Sequence, residues 1–302
     1  MKKNQKQIKN QRPPTNVLDA IGNTPLIKIK NIHAKFETTN PSGSVKDRMA
    51  WYMVKRAEER GELKPKSKII EVTSGNTGIA FAMISAIKGY KFIAIMPESM
   101  SIERQRMMKA FGARIILTPA KEDMAGAMNK YKEVINKNKK AWLPRQFENP
   151  DNIMAHREGL GQEIIRQMRG KIDVFVAGVG TGGTLIGVAQ ALKEINPKVK
   201  IVAVEPRESA VLSGGKQGLH KIQGIGEGFV PKIVKDNINM IDEVVSIKSQ
   251  DAINKMKELA SKNGILVGIS SGANILAALK FTKKYKNVVT VLPDRGERYL
   301  SK

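Results

Sequence analysis

An α/β protein of two lobes, each a twisted and mainly parallel sheet flanked by helices, is what this 302-residue chain predicts. Three observations carry that expectation. Short β-branched runs such as Lys68-Ile69-Ile70-Glu71-Val72 and Ile201-Val202-Ala203-Val204 alternate with longer amphipathic stretches. Two of these runs lead into glycine-rich turns that open helices, Thr73-Ser74-Gly75-Asn76-Thr77-Gly78 and Gly180-Thr181-Gly182-Gly183-Thr184. The series of strand, turn and helix also pauses near residue 147 and restarts, as two cores in one chain would require.

Taken in order, residues 1–17 read as a disordered basic tail, rich in Lys, Asn and Gln and carrying Pro13-Pro14. Ile21-Gly22-Asn23-Thr24-Pro25-Leu26 gives a turn, Ile27 to Ile29 a short strand, and Ala34 to Thr38 a second extended piece. Strands follow at 68–72, 92–95 and 114–117, with helices near 77–88 and 101–110 that should stop at Gly89 and Gly112. A helix near 123–138 and a short apolar segment, Ala141-Trp142-Leu143, close this series. After the turn at Asn149-Pro150-Asp151-Asn152 comes a helix from about 153 to 169, a strand at 174–177, a helix to about 194 and a strand at 201–204. A long Gly-rich loop, a strand at 243–245, two helices and a strand at 288–292 complete it. The division expected is residues 18–35 plus 148–302 as a larger lobe that binds a cofactor phosphate, and 36–147 as a smaller, mobile lobe.

Composition narrows the chemistry. With no cysteine, the chain has no disulfide, thiolate metal site or thiol nucleophile. Its three histidines, His33, His156 and His220, lack metal-ligand spacing and lie beside no serine with an acidic partner, so no metal is expected and all three read as structural or surface residues. Of these, His220 is placed nearest the site. No run approaches the roughly 20 apolar residues of a membrane span, and the N-terminus lacks a secretory core, so a cytoplasmic protein without membrane contact is expected. The formal charge of +24, from 52 Lys+Arg against 28 Asp+Glu, raises nucleic-acid binding. The lysines are spread along the chain and aromatics are only 5%, so a solvated basic surface that steers anionic substrates is expected, with no specific nucleic-acid partner.

Both glycine turns present unpaired N–H groups at a helix start, so each can hold an anion without a charged side chain: one a cofactor phosphate, the other a substrate carboxylate. Upstream, Ser44 is a natural N-cap and Asp47 completes a box-like pair, which puts Lys46 in a first helical turn where a cation is disfavoured. An amine of lowered proton affinity there suits imine formation with an aldehyde cofactor. Asn76 could reach a phenolic oxygen of such a cofactor. The second turn has a rival reading, because Gly178-Val179-Gly180-Thr181-Gly182-Gly183 satisfies the dinucleotide fingerprint and Glu205 ends the next strand, as in a nicotinamide-dependent dehydrogenase. Against it stand the complete α/β lobe that precedes the motif and Pro206 directly after the acid.

Pro41-Ser42-Gly43-Ser44-Val45-Lys46-Asp47-Arg48, the two glycine turns, His220-Lys221-Ile222-Gln223-Gly224-Ile225-Gly226, Gly268-Ile269-Ser270-Ser271-Gly272 and Gly296-Glu297-Arg298-Tyr299-Leu300 occur in one order. Over about residues 18 to 302 the chain resembles the cysteine synthase (O-acetylserine sulfhydrylase) family of fold type II, tryptophan synthase β-like enzymes. The resemblance implies pyridoxal 5'-phosphate held as an imine by Lys46, its phosphate on Gly180, Thr181, Gly182, Gly183 and Thr184, Asn76 on the phenolic oxygen and Ser270 facing the ring nitrogen. Thr73, Ser74, Gly75, Thr77, Gln146 and Gly224 match substrate positions. The implied reaction forms L-cysteine from O-acetyl-L-serine and sulfide through an aminoacrylate, with Lys46 both tether and general base. The family also implies a homodimer, with the serine acetyltransferase C-terminus as a candidate partner.

The sequence departs from the family in places. The hairpin around Lys30-Asn31-Ile32-His33 is short, Gly159-Leu160 replaces a Thr-Thr pair, and Leu292-Pro293-Asp294-Arg295 resembles the B-type isozymes. These leave the leaving group and sulfur donor open. O-Phosphoserine would be favoured by the net charge, but Gln223 stands where related enzymes place a phosphate-binding arginine; cystathionine β-synthase shares much of the pattern, and a non-catalytic partner protein is the remaining alternative.

Overall fold

The computed structural model describes residues 15–73 and 75–301. Residues 1–14 of the expected tail and Ser74 of the first glycine turn lie outside the described residues. Residues 15–17 are not part of a disordered tail: Asn16 accepts the Leu18 N–H at 2.8 Å and caps a 3-10 turn, Val17–Ala20, while Asp19 accepts from the N–H groups of Thr15 and Asn16.

Two sheets form. In the larger, β1 (Leu26–Ile29) pairs antiparallel with β2 (Ile32–Phe36), which adds in parallel to the C-terminal strand β9 (Val288–Leu292). Beyond it lie β6 (Val174–Gly178), β7 (Lys200–Pro206) and β8 (Glu243–Ile247), all parallel, in the order β1-β2-β9-β6-β7-β8. The smaller sheet is β3 (Lys68–Val72), β4 (Lys91–Pro97) and β5 (Arg114–Thr118), again parallel. Trp142 extends it by one bridge, exchanging bonds with Lys68 and Ile70.

Helices cover both faces of each sheet, which is why the strands read as near-continuous apolar runs. In the small lobe, α1 (Lys46–Glu59) and α2 (Asn76–Lys88) bury Met49, Met53, Ile79 and Phe81 against Phe92 and Ala94. The alternate residues Ile93 and Ile95 pack with Ala127 and Val134 of α4 (Asp123–Asn136), and α3 (Ile102–Ala110) flanks the same unit. Gly89 ends α2 in the left-handed conformation at φ +74°, as its position in the sequence predicts.

The helix expected from about 153 to 169 is instead α5 (Pro150–Ala155), a π-turn (His156–Gly161) and α6 (Gln162–Gln167). The widened turn lies where α7 (Gly183–Ile195) crosses most closely: a Cβ on Gly187 would stand 2.3 Å from the Ile153 carbonyl, and one on Gly161 2.6 Å from Ala191 Cβ. Helices α8 (Lys232–Lys235), α9 (Ser249–Asn263) and α10 (Ile269–Leu279) complete the larger lobe. Strands β3, β6 and β9 all end at one crevice, the usual ligand position in open parallel sheets.

Candidate active site

Lys46 is the first residue of α1, but its cap differs from the one the spacing predicts. Ser44 Oγ accepts only the Lys46 N–H, at 3.3 Å, while the Asp47 carboxylate turns back to the N–H (2.6 Å) and hydroxyl of Ser42. The reason is tertiary: Ser44 and Val45 are drawn to the end of β9, Val45 donating to the Pro293 carbonyl at 2.8 Å, and Gly43 makes the required turn at φ +86°. Burial pushes the Asp47 carboxyl up to about 6. It lowers the proton affinity of Lys46, against the opposing fields of Glu227 and Asp294. Lys46 lines the crevice with Asn76, Thr77, Gln146, Gly180, Thr181, Gly182, Thr184, Gly224 and Ser270, so these expected site residues converge.

The second glycine turn is a cradle shaped by absent side chains. A Cβ on Gly180 would lie 2.4 Å from the Gly224 carbonyl, and one on Gly183 2.0 Å from Asn152 Oδ1. Gly182, at φ +89°, caps α7, so the helix start faces the crevice. Asn152 donates to the Thr181 hydroxyl (3.0 Å) and the Gln146 carbonyl (2.8 Å), while its buried Oδ1 has no partner. A phosphate fits this cradle, and a neutral hydroxyl, Ser270, lies in the same crevice for a ring nitrogen. The residues present therefore fit pyridoxal phosphate. Gly180→Ala is expected to retain the fold and lower cofactor affinity by about 5- to 150-fold, because overpacking by one methyl costs about 1–3 kcal/mol; titration of the apoprotein followed by visible absorbance checks it.

In the first turn, Thr73 Oγ1 accepts the N–H groups of Gly75 (3.0 Å) and Gly78 (3.1 Å), and Thr77 donates to Gln146 Oε1 at 2.7 Å. Gln146 in turn donates to the Val72 carbonyl at 3.1 Å, which ties the expected substrate residues into one unit. Asn76 bonds Asp294 (2.7 Å) and Arg298, its amide oriented by the larger lobe. Beneath this turn, burial pushes the Glu71 carboxyl up to about 8. Its proton affinity is higher folded than unfolded, so stability falls as pH rises between about 4.5 and 8, by about 1.4 kcal/mol per pH unit. Glu71→Gln should therefore raise Tm at pH 8 and above and leave it little changed near pH 5; thermal melts across that range test this.

Several site residues were missed from sequence. His156 is buried beside the phosphate cradle, 3.3 Å from Thr184 Oγ1, and burial with the fields of Lys46 and Arg48 keeps it neutral. His220, which the sequence did place near the site, stands at the mouth, accepting from the Ile222 N–H and donating to the Gly226 carbonyl at 2.8 Å. Arg104 reaches across the crevice to Gln223 (2.6 Å) and Tyr299 (2.8 Å), and Tyr299 donates to Asp294 at 2.7 Å. The only sequence signal for Arg104 and Tyr299 was their membership of two segments matching the family, Met100-Ser101-Ile102-Glu103-Arg104 and Gly296-Glu297-Arg298-Tyr299-Leu300. The dinucleotide reading loses its acid: Glu205 accepts from the Leu212 N–H (2.8 Å) and the Ser246 hydroxyl (3.1 Å) of its own surroundings. Among the described residues no cluster of His, Asp or Glu could hold a metal, and no helix is long and apolar enough to cross a membrane.

The architecture and site define a class, and comparison agrees with it: the model of the pyridoxal-phosphate dependent enzyme family matches residues 17–294, and the chain belongs to that family. Within it the chain stands among the cysteine synthases. It is 50% identical to cysteine synthase B of Campylobacter jejuni subsp. jejuni over 291 residues, covering 94% of this chain and 96% of that one. The crystal structure of cysteine synthase from Entamoeba histolytica superposes with a TM-score of 0.92 at 44% identity, covering 97% of this chain and 90% of the other. An O-acetylserine dependent cystathionine beta-synthase from Helicobacter pylori also gives 0.92, at 41% identity, covering 97% and 99%.

Proposed function

We propose that the protein replaces the β-acetoxy group of O-acetyl-L-serine with sulfide to give L-cysteine. The observation that carries the reading is the position of Lys46, an amine of lowered proton affinity in a crevice between two helix-start anion cradles. When bound, pyridoxal phosphate supplies a covalent attachment point and an electron sink for negative charge at the substrate Cα. The amides of Gly180 to Thr184 would hold its phosphate, with the Ser270 hydroxyl serving its ring nitrogen and the Asn76 amide its phenolic oxygen. A hydroxyl rather than a carboxylate at the ring nitrogen leaves that nitrogen neutral, which suits β-elimination. Thr73, Gly75 and Thr77, with Gln146 and Gly224, bind the substrate, and the family resemblance adds Ser74 to them. Lys46, its proton affinity lowered by burial, takes the α-proton and later returns it, which is efficient only when that affinity approaches the working pH.

O-Acetylserine is the donor we favour over O-phosphoserine, because Gln223 accepts from Arg104 and the carboxylate of Glu227 lines the crevice, a poor setting for a dianion. The family relationship supports a cytoplasmic homodimer whose 36–147 lobe closes on substrate, and the serine acetyltransferase C-terminus as a ligand of the crevice. One cuvette tests the reaction: a visible band of the purified protein should shift on adding O-acetylserine and return when sulfide follows. A band indifferent to O-acetylserine would remove it as the substrate.

A further inference from the structure

We infer that Glu71 is a positioning residue for substrate binding: its carboxyl ties the end of β3 to the turn at Arg145-Gln146 and so fixes the Gln146 amide in the crevice. The inference rests on the substrate role proposed above for Gln146 and deepens it. Glu71 itself lies outside the lining of the crevice and is only 2% exposed. One carboxyl oxygen accepts the Val72 N–H at 3.0 Å and the other the Gln146 N–H at 3.4 Å. A single side chain thus grips both segments that carry the proposed substrate residues.

The turn requires such a grip. Arg145, at φ +53°, occupies the left-handed region, which a residue with a Cβ keeps only where its surroundings over-determine it. Gln146 supplies the fixed points: its N–H is held by Glu71, its carbonyl accepts from Asn152 at 2.8 Å, and its side chain donates to the Val72 carbonyl at 3.1 Å and accepts from Thr77 at 2.7 Å. A side-chain amide carries two N–H groups, so one is left for an anion in the crevice that Gln146 lines. Val72 is gripped twice, through its N–H by Glu71 and through its carbonyl by Gln146. Loss of the Glu71 carboxyl therefore loosens the backbone and the side-chain anchor of Gln146 together.

Near neutral pH the group works as an uncharged acceptor. Burial, against the pull of the backbone N–H groups and with a smaller push from Glu148, keeps the proton on Glu71 up to about 8, and a protonated carboxyl retains acceptor capacity. Of the other titratable groups around it, Tyr131 of α4 is uncharged and lies in its field, and the Arg145 guanidinium is turned to Glu148 at 3.7 Å. Once ionised, Glu71 sets a negative charge two residues of strand from Thr73, beneath a turn proposed to hold a substrate carboxylate, and burial leaves that field weakly screened. Substrate affinity is therefore highest while Glu71 keeps its proton.

The test uses holoenzyme with O-acetylserine and sulfide, comparing wild type, Glu71→Leu and Glu71→Gln. At about pH 6.5, Glu71→Leu should raise KM for O-acetylserine about 10-fold while kcat and KM for sulfide stay within about twofold, and Glu71→Gln, which keeps an acceptor, should stay within about threefold of wild type. Adding Gln146→Ala to Glu71→Leu should change KM little further, because both substitutions remove one interaction. Between about pH 6.5 and 9 the KM of wild type relative to Glu71→Gln should rise about fivefold, since only wild type gains the buried charge; the substrate amine and Lys46 titrate alike in both and cancel. An unchanged KM in Glu71→Leu, or additive effects in the double variant, overturns the inference and leaves cysteine formation standing. Should Glu71→Leu fail to fold, a ratio for Glu71→Gln that does not move with pH overturns it. Wild type that does not consume O-acetylserine removes the proposed function and this inference with it.

Discussion

Lys46→Ala is expected to lower kcat for cysteine formation by about 10⁴-fold or more while the protein stays folded. A positioned general base contributes about 10²–10⁴ by itself, and Lys46 is also the proposed tether of the cofactor. No second amine can stand in: Lys46 is the only lysine lining the inner crevice among the described residues, and Arg104, the other cation there, does not deprotonate in proteins. The fold should survive because the substitution removes an amine whose burial is unfavourable to its charge. Steady-state kinetics together with far-UV circular dichroism decide the matter. A variant retaining activity near that of wild type would take Lys46 out of the mechanism.

Arg48→Met should cost about 3–5 kcal/mol of stability, two residues from Lys46 and without touching the crevice. The Arg48 guanidinium bridges two buried carboxylates, meeting Glu37 at 2.6 and 2.9 Å and Glu163 at 2.7 and 2.8 Å. Lys35 completes the group, donating to Glu163 and to the Thr24 carbonyl, both at 2.6 Å. Without Arg48, two carboxylates would face one ammonium away from water, and breaking a buried pair costs more than the pair is worth against an apolar replacement. At a few degrees per kcal/mol for a chain of this size, Tm should fall by about 10 °C.

The pH dependence gives this second prediction its signature. Despite burial, Arg48 and Lys35 hold the Glu163 carboxyl down at about 2. Its folded proton affinity is therefore below the unfolded one, so its contribution is complete above about 4.5 and is lost as pH falls through about 2. In Arg48→Met the orphaned buried carboxylates have a raised proton affinity and are neutralised by protonation, so the gap from wild type should narrow as pH falls from neutrality towards about 2. A deficit that stays constant with pH would mean that lost packing, not lost charge, dominates.

How much of this was legible in the sequence follows from the range of the forces involved. The strands were readable because β3, β4, β6, β7 and β9 are buried on both faces, so Ile69-Ile70 or Val202-Ala203-Val204 must be apolar wherever the neighbours lie. The glycine cradles were readable because close backbone approach admits one residue type, as the 2.4 Å between a Cβ on Gly180 and the Gly224 carbonyl shows. Gln146 and Ser270 were placed by family resemblance, with no local signal to mark them.

The amino-acid sequence by itself determined the α/β class, the two glycine turns at helix starts, the lysine upstream of both and, through ordered motifs, the family. Tertiary structure alone decided which partners those residues take. Asp47 bonds Ser42 rather than Ser44 because the end of β9 draws Ser44 and Val45 away. His156 reaches the phosphate cradle because a π-turn forms where α7 crosses closest. Arg104 meets Gln223 and Tyr299, residues 119 and 195 positions distant. Burial and periodicity act on a residue through its immediate chain neighbours and so leave a local pattern, whereas a hydrogen bond between distant segments leaves none until the chain has folded.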